Sequence, residues 1–192
     1  MDDVDLTELP PGLPVPVDDG AADHIAGRHL PSIALPSTSG KSVPFDSLNS
    51  TLAVLYFYPM TAQPGTPLPD NWDSIPGARG CTPQSCSFRD RHDAIRSLGG
   101  VVYGISSQQR LWQREAVERL SLPFELLSDV HCEVADALDM PTFSSAGVRL
   151  YKRLTLVAQR GRIVKVFYPV FPPDTHTSVV IDWITHNVRQ NR

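Results

Sequence analysis

Cysteine is scarce in this sequence, with three residues in 192. An odd, low count argues against a framework of structural disulfides and leaves free, catalytic or metal-bound thiols. Long apolar runs are missing too: none approaches the roughly 20 residues of a membrane span, so no membrane partner is expected. Basic residues are not in excess either. The 17 Lys and Arg stand against 21 Asp and Glu, a net charge of −4, which argues against a nucleic-acid or acidic-lipid binder. The first residues, MDDVDLTELPPG, are acidic and lack the charged-then-apolar order of a secretory signal, so a cytoplasmic protein is expected. No internal repeat is present. No Cys-x-x-Cys dithiol occurs, and the cysteines lack the matched close pairs of a structural zinc site, so no metal is expected.

Proline, by contrast, is plentiful at 18 residues, and it falls in two clusters, residues 10–44 and 59–83. The first reads as an extended leader over residues 1–29 that wraps onto a domain of residues 30–192. The second lies in the middle of that domain and marks an irregular stretch beside the cysteines.

The apolar patterning between these clusters predicts an α/β domain. SIALPSTSGKSVPF, from Ser32, reads as an N-terminal hairpin around a Ser-Gly turn. LAVLYFYP, from Leu52 to Pro59, is a near-continuous apolar run, as in a strand buried on both faces. A helix is expected from about Pro83 to Leu98, with Thr82 as N-cap, Pro83 at the first helical position and Gly99-Gly100 as the stop. VVYGISS is the next strand and QQRLWQREAVERLS the next helix. FELLSD is a short strand, and VHCEVADAL a helix capped by Asp129. RLTLVAQRGRIVKVFYPVF is a strand–turn–strand with Gly161 in the turn, and DTHTSVVIDWITHNVRQN is a closing amphipathic helix. Such an order gives helices flanking a mixed sheet in a thioredoxin-like, three-layer fold.

Two cysteines, Cys81 and Cys86, share the segment GCTPQSCSFRD. Cys81 falls where a strand hands over to a helix. The unpaired N–H groups and positive dipole end there favour a thiolate, which is the reactive form. Cys86 lies five residues on, inside the predicted helix. A rise of about 7.5 Å with a rotation near 140° sets their Cα atoms about 9 Å apart. A disulfide needs about 7 Å or less, so the two can bond only if the first turns unwind. Taken alone, Cys86 reads more readily as a small buried hydrophobe than as a redox partner. His92 and the His131-Cys132 pair are conceivable metal ligands without a partner set. Cys132 and His131 open a different helix, where they read as a semi-buried small residue and a surface histidine.

The run YFYPM…GCTPQSCSFRD resembles the peroxidatic segment of the peroxiredoxins, in particular the bacterioferritin-comigratory or Q-type group. GGVVYGISSQ, LPFELLSD, EVADAL, KRLTLV and GRIVKVF follow in that group's order, so the likeness spans residues 33–183. The resemblance implies a thioredoxin fold and a thiol peroxidase acting on hydrogen peroxide and organic hydroperoxides. It implies that Cys81 is the peroxidatic and Cys86 the resolving cysteine, and that Arg153 of KRLTL pairs with the thiolate and peroxide. Pro59 matches the motif's proline. It further implies a thioredoxin-type dithiol reductant, no cofactor, and a monomer or weak dimer.

The pattern is broken just before Cys81. Where the family carries a threonine or serine three residues ahead, this chain has Ala78, and Thr61 is the nearest hydroxyl after Pro59. An insertion of about 15 residues, at about 62–79, separates Pro59 from Cys81. It reads either as a proline-stiffened surface loop or as a lid or contact surface beside Cys81, with Trp72 as a docking residue. Two alternatives stay open: a redox sensor or binding protein on the same fold, and a protein thiol-disulfide oxidoreductase.

Overall fold

A computed structural model of the chain describes Leu6, residues 8–50 and residues 52–188. The expected hairpin is β1 (Ala34–Pro36) paired antiparallel with β2 (Ser42–Pro44). The buried apolar run forms β3 (Leu52–Phe57), in which no residue reaches the surface. Along it side chains alternate between the two faces of the sheet, as a strand requires. Ala53, Leu55 and Phe57 enter one core, and Leu52, Val54 and Tyr56 the other.

Then come α1 (Cys81–Asp90), α2 (His92–Ser97), β4 (Gly100–Ser106), α3 (Arg110–Leu120), β5 (Leu126–Ser128) and α4 (Glu133–Leu138). The chain continues through β6 (Thr142–Ser145), β7 (Val148–Tyr151), β8 (Leu154–Gln159), β9 (Arg162–Phe167) and α5 (His176–Asn187). The central sheet runs β5-β4-β3-β8-β9. Strands β3, β4 and β5 are parallel, while β8 lies antiparallel to β3 and to β9. One face of the sheet is covered by α1, α2, α3 and α5, the other by α4 with Ala22, Ile25 and Leu30 of the N-terminal segment. The architecture is the expected thioredoxin-like mixed α/β fold. No helix among the described residues is long and apolar enough to cross a membrane.

One expected helix needs correction, and one hairpin is additional. The helix drawn from Pro83 to Leu98 begins at Cys81 and breaks at Arg91, where φ and ψ are −116° and 11°. Its N-cap is Gly80 rather than Thr82, and Pro83 is the third helical residue, still within the turn whose N–H groups have no helical acceptor. The β6–β7 hairpin was not foreseen. Its turn is Ala146-Gly147, both at positive φ (48° and 74°), and alanine is a rare occupant of that conformation. The expected final helix extended past Asn187 into residues that lie partly outside those described.

Asp129 does cap α4, from a distance. Its carboxylate accepts the Glu133 and Val134 N–H groups at 2.8 and 3.0 Å, and Cys132 occupies the N-cap position itself.

Candidate active site

The carboxyl end of β3 is where this fold gathers its polar groups. The antiparallel register pairs Phe57 with Leu154, so the first residues of β8 stand beside the last residues of β3. Arg153, one residue ahead of β8, is thereby delivered to the amino end of α1. Its Nη2 donates to the Cys81 sulfur at 3.1 Å. Both residues are 3 % exposed.

A buried guanidinium is costly unless its donors are satisfied and its charge is met. Here Nε donates to the Gly77 carbonyl at 3.3 Å, and Nη2 to those of Ala78 and Arg79 at 3.2 and 3.0 Å. Nη1 donates to Gln84 Oε1. No carboxylate pairs with it among the described residues; besides Gln84, the Cys81 sulfur is the side-chain group it reaches. The first turn of α1 adds its N–H groups and positive dipole end at the same sulfur.

Gly80 makes this corner possible. Its φ of 98° is one that L side chains rarely adopt, and a Cβ there would lie 2.4 Å from Pro173 Cγ and 2.7 Å from Leu9 Cδ2. Tyr56, on β3 beneath α1, shares a hydrogen bond of 3.1 Å with Ser85, and its ring stacks on Phe88 at 4.5 Å. The ring has room because residue 104 is glycine: a Cβ there would sit 2.5 Å from the Tyr56 hydroxyl. Burial raises the Tyr56 phenol far above its ordinary range, which keeps it a neutral hydrogen-bonding group.

Cys86 lies on the same unbroken helix as Cys81, half-buried against the core. Burial pushes its thiol up, partly offset by the Arg89 guanidinium. All three cysteines are free thiols. Cys132 is buried rather than semi-buried, and it belongs to the core on the opposite face of the sheet from Cys81. Burial, with Asp129 nearby, pushes its thiol up to about 11. His131 is exposed, as expected. Among the described residues no three His, Cys, Asp or Glu side chains gather to hold a metal.

Pro59 is buried just past β3. Thr61 makes its hydrogen bonds to Gln108 rather than to the sulfur. Its N–H and hydroxyl both donate to Gln108 Oε1, at 2.8 and 3.1 Å, and Gln108 Nε2 returns a bond to the Thr61 carbonyl. This lock on the turn is a feature the sequence reading did not find, as is Gln84. The latter had a signal, since three residues after Cys81 is the same helix face.

The insertion is well packed. Trp72 is buried with Ala78 and Leu150 and sits 6.1 Å from the Phe143 ring, so it anchors the insertion and is not available for docking. Asp73 pairs with Arg79 at 3.1 Å. A cavity of about 20 Å³ remains over Cys81, lined by Met60, Leu68 and Trp72 on one side and by Leu6 and Glu8 on another.

Comparison with known proteins agrees with this fold. The model of the family described as Redoxin matches residues 25–181. Peroxiredoxin Bcp of Bacillus subtilis is 27 % identical over 143 residues, covering 72 % of this chain and 82 % of that protein. The chloroplastic peroxiredoxin Q of Triticum aestivum is 30 % identical over 151 residues, 78 % of this chain and 62 % of its own length. The solved peroxidoxin BcpB of Mycobacterium tuberculosis superposes with a TM-score of 0.69 at 24 % identity, over 85 % of this chain and 97 % of that one. A fold of this topology, with a family match spanning most of the chain, carries one conclusion: the chain belongs to the Redoxin family, alongside the Bcp- and Q-type peroxiredoxins.

Proposed function

We propose that this protein is a thiol-dependent peroxidase that reduces hydroperoxides with Cys81 as the attacking sulfur. The observation that supports it most is the 3.1 Å contact between Arg153 Nη2 and Cys81 Sγ, both buried beneath a small cavity at a helix start. The Cys81 thiolate attacks the terminal peroxide oxygen. The O–O bond breaks, the terminal hydroxyl passes to the sulfur to make a sulfenic acid, and the leaving hydroxide or alkoxide takes up the proton that the thiol released on ionising, departing as water or an alcohol. Arg153 stabilises the thiolate before attack and the charge on the leaving oxygen during it. Thr61 and Pro59 act indirectly, by holding the turn that brings Met60 to the cavity.

Cys86 then attacks the sulfenic sulfur, expelling water and forming a Cys81–Cys86 disulfide. A thioredoxin-type dithiol resets the pair by exchange, itself becoming a disulfide. No cofactor enters this scheme. We place the reaction in the cytoplasm, in a monomer or weak dimer.

The test is catalytic peroxide consumption with a thioredoxin system. Wild type turns over, Cys81→Ser does not, and Cys86→Ser gives one turnover and then accumulates sulfenic acid. Substantial turnover by Cys81→Ser would overturn the assignment. The absence of a side-chain hydroxyl at position 78 favours a second reading, a sensor that oxidises once and reports to a partner. Slow, stoichiometric oxidation of wild type would select it. Efficient reduction of a protein disulfide without peroxide would instead select a thiol-disulfide oxidoreductase.

A further inference from the structure

The segment ahead of the family match is built into the site. The Redoxin match begins at residue 25, yet Leu6 and Glu8 line the cavity over Cys81. Leu9 presses on Gly80, the residue that opens the corner into α1. Further along the leader, Pro16 packs 3.6 Å from the position a Gly77 Cβ would take. Asp19 holds Lys152 and the Tyr168 hydroxyl, each at 2.8 Å. Beyond that, Ala22 and Ile25 are sunk in the core. The leader is thus fixed from Asp19 onward and laid across the catalytic corner before it.

The cavity it helps to line is small. At about 20 Å³ it offers room for little more than one water, whose centre needs about 10–15 Å³. Hydrogen peroxide has two heavy atoms and no side group, whereas any organic hydroperoxide must also place carbon at the mouth. The opposite wall does not give way, because Trp72 anchors Leu68 and its neighbours in their own small core. The leader wall is weaker. Among the described residues, no backbone hydrogen bond joins residues 8–17 to the rest of the domain, the signature of a segment that opens at low cost.

We infer that this leader is a size filter: with Leu6, Glu8 and Leu9 in place, Cys81 receives hydrogen peroxide, and bulkier hydroperoxides enter only when the strap lifts. The inference rests on the peroxidase reading for its substrates, but the filter itself can be tested without any peroxide.

The experiment uses the full chain, wild type and Leu6→Ala/Leu9→Ala. Alkylation at Cys81 is followed by peptide mapping with iodoacetamide, which is small, and N-phenylmaleimide, which is not. Loss of the two leucine side chains should speed the bulky reagent by about tenfold relative to the small one. Single-turnover oxidation by cumene hydroperoxide should gain on hydrogen peroxide in the same direction. Asp19→Ala, which loosens the strap from outside the cavity, should act the same way more weakly and guards against misfolding of the double variant. An unchanged ratio between the two alkylating reagents in both variants overturns the filter. If the alkylation ratio shifts but neither peroxide oxidises Cys81 in wild type, the filter stands and the peroxidase reading falls.

Discussion

Removing one hydroxyl beneath α1 should accelerate disulfide formation without touching the attack on peroxide. In the helical state Cys81 and Cys86 stand about 9 Å apart at Cα, beyond disulfide reach. The turns between them must open first. What holds them is visible: the Gln84 N–H on the Gly80 carbonyl at 3.0 Å, the Arg153 bonds to Gln84 and Cys81, and the Tyr56–Ser85 bond at 3.1 Å. With the backbone bonds that follow, opening sacrifices about six such interactions at about 1 kcal/mol net each. Further along, α1 is pinned harder. Phe88 is fully buried on Tyr56, and Arg89 donates to the Leu120 carbonyl at 2.9 Å. Opening should therefore stop short of Phe88.

Tyr56→Phe deletes the bond to Ser85 but keeps the ring stack. The Ser85 hydroxyl, fully buried, is left without that partner in the closed helix and regains water when the turn opens. A penalty of about 1–2 kcal/mol borne only by the closed state raises the open population about five- to thirtyfold. The assay is a single turnover, quenched at intervals, with sulfenic acid trapped and the disulfide mapped. The first step should keep its rate, the second should quicken, and amide exchange over residues 82–87 should rise while Phe88 stays protected. If the disulfide forms no faster, or forms only between two chains with α1 protected, the opening mechanism is wrong.

Three further outcomes are expected. Arg153→Met should slow oxidation of Cys81 about a hundredfold or more, as loss of a buried charge-stabilising donor does, and should lower the melting temperature because the carbonyls at 77–79 lose their donor; an unchanged oxidation rate would remove Arg153 from the chemistry. Cys132→Ala should leave turnover and the Cys81–Cys86 disulfide near wild type, since the sheet separates it from Cys81; sulfenic acid accumulating in that variant would make Cys132 the resolver. Burial, with Arg153 nearby, lowers His176 from 6.5 to about 4. The unfolded chain thus binds the extra proton between those values, and stability present above pH 6.5 is lost as pH falls toward 4, by about 3 kcal/mol. His176→Gln should flatten that slope in denaturant titrations at pH 7 and pH 4.5, and an equal slope in both proteins would exclude His176 as its source.

The parts of this molecule that were legible in the sequence are those with a strong local signal. The run from Leu52 to Phe57 is apolar on both faces because both faces are buried, and Gly161 marks its turn by composition. Cys81 was readable as a helix-start cysteine because a buried strand and a glycine precede it. The β6–β7 hairpin was hidden, because Thr142–Ser145 is half-exposed and weakly alternating, and Ala146-Gly147 carries no Asn-Gly or Asp-Gly signal. The break at Arg91 has neither glycine nor proline to announce it. Trp72 illustrates the opposite error: an aromatic in a proline-rich loop suggests a contact for a partner, whereas here it is the loop's own core. Leu6, Glu8 and Leu9 could not be assigned from sequence, since what they touch lies about 70 residues away along the chain.

The loss of a hydroxyl at position 78 looks, on the sequence alone, like damage to the site. The structure suggests why the corner tolerates it. Arg153 is aimed at Cys81 by the carbonyls of Gly77, Ala78 and Arg79, and a carbonyl is supplied by every residue type. Side-chain identity along this stretch is therefore freer than its backbone path. The path is tightly constrained at Gly80, where a left-handed φ and two close contacts leave no space for a Cβ. It is constrained again at Ala78, fully buried against Trp72, where a small side chain fits the packing of the insertion. The same insertion that displaces the usual residues thus brings a small core of its own, and that core holds the three carbonyls in line. The guanidinium is held largely by main-chain carbonyls, with Gln84 as its side-chain acceptor, so the site depends on the packing of Trp72 and on the openness of Gly80 as well as on Cys81 and Arg153.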